Sequence, residues 1–495
     1  MGDNISTIGK KVKALANPLR DEGISSGDYL EQITYLLFLK MADEYSLPPY
    51  NRNSNIPDKY RWGELKELSG DDLDTRYKEA LEALGKKEGI LKEIFSDAGN
   101  KIKKPALLKK VITMIDGERW ISMAADVKGA IYEELLKEYA EDTKSGAGQY
   151  FTPRSLINTM VKCLNPEPMK SLCDPACGTG GFLLSAYEFL SNKQLDREAK
   201  QFLKNKMVAG VELVPMTYKL CLMNLFLHGI SDINSSSIPI QRADSLLKKP
   251  SVSYDYVLAN PPFGRKSSLT FTNEEGEEKK EDLVYNRSDF WTTTSNKQLN
   301  FVQHIFSILK TSGRAAVVVP DNVLFEDGAG DTVRKKLLEK TNLHTILRLP
   351  TGIFYKPGVK ANVIFFDNKL PSEKWQTESV WVYDFRTNVH FTLKQNPMTE
   401  KDLEDFVKCY NPENILDREQ TFDAQTNVNG RWRKYTLEEI KTNGYKLDLK
   451  WMSDDDGSEN LSIQELFSLI KEKSESIQKN VSELEALIGN VIEND

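Results

Sequence analysis

The stretch that decides the fold is KSLCDPACGTGGFLLSAYEFL, residues 170–190. Its first apolar run predicts a buried strand, its glycine-rich segment a tight turn, and its long apolar run a helix that begins directly after the turn. Gly178, Gly180 and Gly181 lack the Cβ atoms that would keep a ligand away from the backbone. The stretch therefore predicts a strand–turn–helix unit that receives a ligand at its turn.

The expected ligand is a nucleoside without a phosphate chain. The turn sequence GTGG (178–181) does not match G-x-G-x-x-G, and it lacks the Lys-Ser/Thr of a phosphate-binding loop. Glu212, at the end of the next predicted strand, can accept hydrogen bonds from both ribose hydroxyls, and Asp244 can accept from an adenine amine. Either acid alone is more typical of a helix cap or a turn than of a ligand site, but their order after a glycine turn favours the ligand interpretation.

Strands and helices alternate from about residue 146 to 370. Further apolar strands are predicted in YDYVLA, GRAAVVVP, HTILRLP and ANVIFF, each bounded by glycine, proline or charge. This alternation predicts an α/β fold of the Rossmann-like type, a doubly wound and mostly parallel sheet. Residues 371–460 are expected to extend the same domain.

Both ends of the chain predict helices. Residues 1–145 read as a helical domain, in which Leu30, Ile33, Leu37 and Met41 recur at helical spacing within a segment that is apolar all round. Such a helix is buried in its own chain or covered by another subunit. Residues 461–495 carry a heptad pattern that predicts a coiled-coil-like helix for subunit assembly, the alternative being a helix folded back on its own domain. The heptad positions are Phe467, Ile470, Ile477, Val481, Leu484, Ile488 and Val491.

Composition restricts the function classes. The 495 residues exceed one ordinary core, so two or three domains are expected. No apolar run is long enough to cross a membrane, and the first residues lack a signal-peptide core, so a cytoplasmic protein without membrane contact is expected. The five cysteines and four histidines are scattered, which indicates reduced thiols and no metal site. The net charge of −7 indicates that any nucleic-acid role needs a local basic face or a partner subunit.

The predicted strand YDYVLA ends in the tetrapeptide Asn260-Pro261-Pro262-Phe263. A rigid turn ending in an ordinary core phenylalanine is the simple interpretation. The glycine turn upstream instead favours a pocket for a flat substrate that bears an amine. The polar stretch 264–300 that follows, with its charge run, predicts a solvated loop, and a flap over the site is the alternative.

These motifs together resemble a known family. DPACGTGGFL with NPPF downstream is similar to AdoMet-dependent amino-methyltransferases. The segments KSGAGQYFTPRSLI, GVELVPMTYKLCLMNLFLHGI, GRAAVVVPDNVLF and LPTGIF narrow the resemblance to the modification (M) subunit of a type I restriction-modification system, an adenine-N6 DNA methyltransferase. Because DYLEQITYLLFLKMAD and GYKLDLKW match as well, the resemblance extends over most of the chain.

The resemblance implies S-adenosyl-L-methionine (AdoMet) as cofactor and an AdoMet-dependent methyltransferase domain over 146–370. Glu212 would bind its ribose and Asp244 its adenine. A segment before the glycine strand would close over the cofactor, and the glycine turn would contact it. The remaining cofactor residues would be Gln149, Tyr150, Phe151, Thr152, Pro153, Arg154, Asp174, Gly178, Thr179, Gly180 and Gly181.

The same resemblance gives the tetrapeptide a catalytic role. An adenine amine is a poor nucleophile because its lone pair is delocalised into the ring. The Asn260 side-chain oxygen and the Pro261 carbonyl can accept from its two N–H groups, while Pro262 helps to fix that carbonyl and Phe263 stacks on the base. The target adenine must be flipped out of the duplex to reach this site.

The implied partners are double-stranded DNA, a specificity (S) subunit that reads the sequence and a second M subunit, with a restriction (R) subunit as a further candidate. A separate S subunit would explain how an acidic chain acts on DNA. Two alternatives remain open. One is a methyltransferase of RNA or of protein glutamine with the same NPPF chemistry, and the other is a non-catalytic assembly subunit.

Overall fold

The structure is a computed structural model, and two compact units make up the chain. The larger unit comprises Met1–Arg386 and His390–Lys450, and the smaller one comprises Thr387–Val389 and Trp451–Asp495. All elements below belong to the larger unit. The described residues are 14–120, 134–136, 152–230, 237–264, 268–272, 278–282, 284–354, 358–393, 395–452 and 474.

The N-terminal part is helical, as its apolar spacing predicts. Helix α1 (Ser26–Ser46) begins after Ser25, whose hydroxyl accepts a hydrogen bond from the Asp28 backbone N–H. The helices that follow are α2 (Trp62–Glu67), α3 (Gly70–Gly85), α4 (Ile90–Phe95) and α5 (Pro105–Asp116). The predicted apolar positions of α1 are at most 1% exposed within this chain, so they do not form an assembly surface for another subunit.

The central element of the described residues is a nine-stranded sheet. Its strands are β1 (Leu172–Asp174), β2 (Val208–Glu212), β3 (Ile240–Arg242), β4 (Tyr254–Ala259), β7 (Leu309–Pro320), β8 (Thr341–Arg348), β9 (Ala361–Asn368), β10 (Ser379–Asp384) and β11 (Trp432–Thr436). Its spatial order is β3-β2-β1-β4-β7-β9-β8-β10-β11, and β1 pairs in parallel with both β2 and β4. The other parallel pairs are β2 with β3, β4 with β7 and β8 with β10, while β9 runs antiparallel to both neighbours.

This order confirms the Rossmann-like, mostly parallel fold. The chain winds outward from β1 in one direction through β2 and β3, and in the other direction through β4 and β7. The switch point therefore lies between β1 and β4, where ligands of such sheets bind beyond the carboxyl ends of the strands. Flanking helices are α6 (Arg154–Leu164), α7 (Gly181–Ser191), α8 (Arg197–Asn205), α9 (Pro215–Leu227), α10 (Lys297–Ile308), α11 (Asp321–Phe325), α12 (Ala329–Lys340), α13 (Glu404–Tyr410) and α14 (Leu437–Thr442).

Helix α9 joins the sheet to the N-terminal helices. The Phe226 ring lies 4.8 Å from that of Phe38 on α1. Lys219 is 8% exposed, and its ammonium donates to the Ser96 carbonyl (2.6 Å). The Tyr218 hydroxyl donates to Glu93 Oε2 (2.9 Å). A buried ammonium requires polar partners, which the N-terminal part of the chain provides here. Because α9 contacts that part through its aromatic and its polar side chains, the helical part and the sheet share one packed interface.

The polar stretch 264–300 is only partly a loop. Strands β5 (Ser268–Thr272) and β6 (Glu278–Asp282) form an antiparallel hairpin. After it, Tyr285 is 6% exposed and Arg287 is 8% exposed. The expectation of a solvated loop is therefore wrong for the part that follows the hairpin.

The C-terminal regions differ in what the structure describes. Strand β10 pairs with β8, so residues in 371–460 continue the same sheet. The helix predicted over 461–495 lies outside the described residues, apart from Ser474. Within the described part of the chain, no helix has the length and apolarity needed to cross a bilayer.

Candidate active site

A cavity of about 550 Å³ lies at the switch point of the sheet. The ends of β1, β2 and β4 and the loop after β3 converge on it. It brings together most of the site residues that the sequence predicts: Thr152, Arg154, Asp174, Gly178, Thr179, Gly181, Glu212, Asp244, Asn260 and Pro262. Pro153, Gly180, Pro261 and Phe263 are adjacent in sequence to these residues but do not line it. Gln149, Tyr150 and Phe151 lie outside the described residues.

Asp174 ends β1, lines the cavity and is 1% exposed. Its Oδ1 accepts from the Ala176 backbone N–H at 3.0 Å. Burial raises the pKa of this carboxyl to about 8, and the nearby charge of Glu212 acts in the same direction. The raised pKa favours the protonated carboxyl in the free protein, and a cation in the cavity would favour the carboxylate.

Glu212 ends β2 and is held by the backbone on both sides. Its Oε2 accepts from the Gly178 N–H (3.0 Å), and its Oε1 accepts from the Val214 N–H (2.8 Å). Burial raises the pKa of Glu212, while these backbone donors act to lower it. Each carboxylate oxygen keeps a lone pair for a further donor in the cavity.

The glycines of the turn have different surroundings. Gly178 has φ of +54°, and a Cβ built there would meet no atom within 4 Å. Gly180 has φ of +86°, and its Cβ would lie 3.0 Å from Cys221 Sγ on α9. A Cβ on Gly181 would lie 3.0 Å from Ile157 on α6. Gly178 therefore opens the turn to the cavity, whereas Gly180 and Gly181 allow neighbouring helices to approach α7.

Asp244 lies in the loop after β3. Its Oδ1 accepts from the Leu246 N–H (2.9 Å), and its Oδ2 accepts from the Tyr285 hydroxyl (2.8 Å). Tyr285 also lines the cavity. The sequence gives no signal for this tyrosine, because it lies far along the chain in a stretch dominated by charge.

Asn260 follows β4 and is 7% exposed. Its Nδ2 donates to Thr152 Oγ1 at 2.8 Å. Its Oδ1 is buried and has no hydrogen-bond partner among the described residues. Phe263 packs edge-on against Phe354, with ring centroids 5.7 Å apart. The site therefore presents an unpaired acceptor at Asn260, where buried polar atoms are normally satisfied. The Oδ1 of Asn224, which also lines the cavity, is a second buried acceptor without a partner among the described residues.

Among the described residues, two basic side chains line the cavity, and they differ in their contacts. Arg154 donates to the Gly181 carbonyl (3.2 Å) and pairs with Glu188 (2.6 Å), so it links α6 to α7. Lys297, at the start of α10, makes no ion pair with the part of the chain that the structure describes. Sequence reasoning did not identify Lys297, since no motif marks it.

Comparison with known proteins assigns the class. The family model for N-6 DNA methylases matches residues 123–459, and the model for the HsdM N-terminal domain matches residues 8–115. The chain is 36% identical to the methylase subunit of the type I restriction enzyme StySJI of Salmonella typhimurium, over 98% of this chain and 95% of that one. The methylase subunit of EcoKI from Escherichia coli K12 is similar to the same extent.

Solved structures agree with this class. The crystal structure of the EcoKI M protein matches with a TM-score of 0.53 at 34% identity, covering 91% of this chain and 90% of that one. A chain from a study of complex assembly and conformational transition in the type I restriction-modification system matches with a TM-score of 0.72 at 25% identity, covering 98% of each. The chain belongs to the family of type I restriction-enzyme methylase subunits.

Proposed function

We propose that this chain transfers a methyl group from AdoMet to the N6 amine of an adenine flipped out of DNA. The observation that carries the proposal is the buried, unpaired Oδ1 of Asn260 at the edge of the cavity. An acceptor left without a partner is costly in a folded protein, and a substrate amine would satisfy it. Membership of the methylase family supports DNA as the substrate over RNA or protein glutamine.

The cavity fits AdoMet by its size and its polar groups. About 550 Å³ lies within the usual range for small-molecule sites. Glu212 would accept from the ribose hydroxyls, Asp244 would accept from the cofactor adenine, and Gly178 leaves open space for the ligand. Asp174 would face the cationic end of the cofactor together with the 149–154 segment. When bound, AdoMet supplies an electrophilic methyl group on a sulfonium.

Thr152 fixes the side-chain amide of Asn260. Because Thr152 Oγ1 takes a hydrogen bond from Nδ2, the amide oxygen must point the other way, toward the substrate. Asn260 Oδ1 and the Pro261 carbonyl would accept from the two N–H groups of the amine and favour a pyramidal nitrogen. Phe263 would stack on the base. The protein thus contributes fixed acceptors and positioning, and the product amine loses its proton to solvent.

The partners follow from the same family. Its members are named as subunits of type I restriction enzymes, which supports a complex with an S subunit, a second M subunit and, in the restricting form, an R subunit. We propose that the S subunit selects the DNA sequence and that this chain supplies the transfer site. We also propose a cytoplasmic location, which fits a function on DNA.

The substitution Asn260→Ala tests the proposal, because it should affect methyl transfer to DNA but not the binding of AdoMet. AdoMet affinity, measured by calorimetry, should stay within about threefold of wild type, because Asn260 faces the substrate amine. Transfer of labelled methyl to DNA in the presence of the S subunit should fall by at least about 100-fold. Asn368→Ala is the matched control, since its amide donates to the Leu309 carbonyl away from the cavity.

Two results would contradict the proposal. If the Asn260→Ala protein transferred methyl groups to DNA at the wild-type rate, Asn260 would have no role in the transfer step. Absence of AdoMet binding by the wild-type chain would instead favour the non-catalytic assembly subunit.

A further inference from the structure

Tyr285 and Arg287 hold the loop that carries Asp244, and the transfer chemistry above uses neither. The Tyr285 hydroxyl donates to Asp244 Oδ2 at 2.8 Å. Arg287 Nη1 donates to the carbonyls of Ser245 (3.3 Å) and Leu246 (3.4 Å). Both side chains are more than nine-tenths buried, so these bonds are shielded from competing water.

Arg287 is itself fixed in place. Its Nε and Nη2 donate to the two carboxylate oxygens of Asp289 at 3.0 and 2.6 Å, a forked arrangement that sets the guanidinium plane. Its Nη1 donates to His304 Nδ1 at 3.0 Å. Burial, reinforced by the charge of Arg287, lowers the pKa of His304 to about 3, so the ring is neutral and accepts. The segment after the hairpin is therefore a rigid support rather than a loose covering.

The consequence for Asp244 is a fixed carboxylate. Oδ1 is held by the Leu246 N–H and Oδ2 by the Tyr285 hydroxyl, so rotation of the group would break one or both bonds. An ionised carboxylate only accepts hydrogen bonds. What remains toward the cavity is an acceptor at a set position and angle.

We propose that Tyr285 is a positioning residue that makes Asp244 selective for the 6-amino group of the cofactor's purine over a 6-oxo group. The inference rests on the proposed function, in which Asp244 receives the cofactor adenine. A 6-amino group donates to the fixed carboxylate, whereas a 6-oxo group presents a second acceptor and is repelled. A 6-oxo purine also has a donor at ring N1, which a freely rotating carboxylate could reach. The tyrosine hydroxyl prevents that rotation.

The experiment compares two ligands that differ at this position. S-adenosyl-L-homocysteine and S-inosyl-L-homocysteine are titrated by calorimetry into the full chain, as wild type, Tyr285→Phe and Tyr383→Phe. Tyr383 is the matched control, because its hydroxyl donates to the Asp405 carboxylate at 2.6 Å and it does not line the cavity. Thermal denaturation of each variant checks that the fold is retained.

We expect wild type and Tyr383→Phe to prefer the adenosyl compound by at least about tenfold. In Tyr285→Phe this preference should fall by about fivefold, mainly through weaker adenosyl binding. If Tyr285→Phe weakens both ligands by the same factor, the tyrosine only supports the fold and the inference is wrong. If wild type binds both equally, Asp244 does not select the amine, although the methyl-transfer proposal stands. Wild type that binds neither compound would overturn the proposed function and this inference together.

Discussion

The buried carboxyl of Asp174 makes the free protein less stable as the pH rises. Burial raises its pKa to about 8 from an ordinary value near 3.8. Between these two values the folded protein keeps a proton that the unfolded chain has released, so the free energy of unfolding falls as pH rises. One such proton changes that free energy by up to about 1.4 kcal/mol per pH unit.

Asp174→Asn should therefore flatten this dependence. The asparagine oxygen can still accept from Ala176, but nothing ionises. We expect the variant to gain stability relative to wild type as pH rises from 5 to 8, measured by chemical denaturation without ligand. Asp255→Asn is the control: burial acts to raise the pKa of Asp255, yet bonds from Lys310 and Ser171 hold it low. Its difference from wild type should stay constant over this range, and a constant difference for Asp174→Asn would refute the prediction.

Sequence reasoning identified the site residues that belong to a recognisable motif. Asp174, Glu212 and Asn260 each end a strand or follow one closely, and parallel strands bring such ends together at one edge. Tyr285 and Lys297 were missed because their place in the cavity depends on how the chain returns after the hairpin. That path is set by buried contacts such as those of Arg287, which no local pattern reports.

The glycine turn between β1 and α7 allows a test of one element. Gly178 and Gly180 both have positive φ, so alanine at either position is expected to cost about 1 kcal/mol of backbone strain. In addition, the alanine methyl group at position 178 would enter the cavity, whereas the one at position 180 would contact Cys221 Sγ on α9. The two substitutions should therefore have different principal effects.

We expect Gly178→Ala to weaken AdoMet binding by at least about tenfold with only the loss of stability due to strain. Gly180→Ala should lose a further 1 kcal/mol or more of stability, since the packed neighbour must shift (about 1–3 kcal/mol is typical of overpacking). Calorimetric titration and denaturation of each variant measure the two effects. Equal loss of affinity in both would show that the turn moves as a whole and that the distinction is wrong.

Sequence patterns predicted which segments form strands and helices more reliably than they predicted how the strands pair. The mostly parallel sheet follows from strand–helix alternation, and the burial of α1 follows from apolar residues on all its sides. The antiparallel insertion of β9 between β7 and β8 did not follow, because apolar strands buried on both faces look alike whatever their direction. The division of the chain at residues 145, 370 and 460 stays a prediction.

The whole molecule carries a net charge of −7, which disfavours DNA binding by this chain alone. Affinity for duplex DNA comes largely from cationic contacts to phosphates. We therefore expect the purified chain to bind AdoMet but to bind its target DNA at least about a hundredfold more weakly than the complex with the S subunit does. Fluorescence anisotropy at physiological salt measures binding, and labelled-methyl transfer measures activity.

A complex assembled with the Asn260→Ala chain is the matched control for the whole-molecule test. It should bind the DNA as wild type does and should methylate it at least about 100-fold more slowly. Full-rate methylation of one defined site by the isolated wild-type chain would show that sequence reading does not depend on a separate subunit.

The hydrogen bonds between α9 and the N-terminal helices determine which segments of the chain can be exchanged with those of related proteins. Lys219 and Tyr218 lie on the helix that begins just beyond Glu212, and they bond to Ser96 and Glu93. A chimera that transplanted only the α/β sheet would leave a buried ammonium facing a foreign surface, next to the strand that ends in Glu212. A functional chimera would therefore have to exchange the sheet together with the helices that precede it.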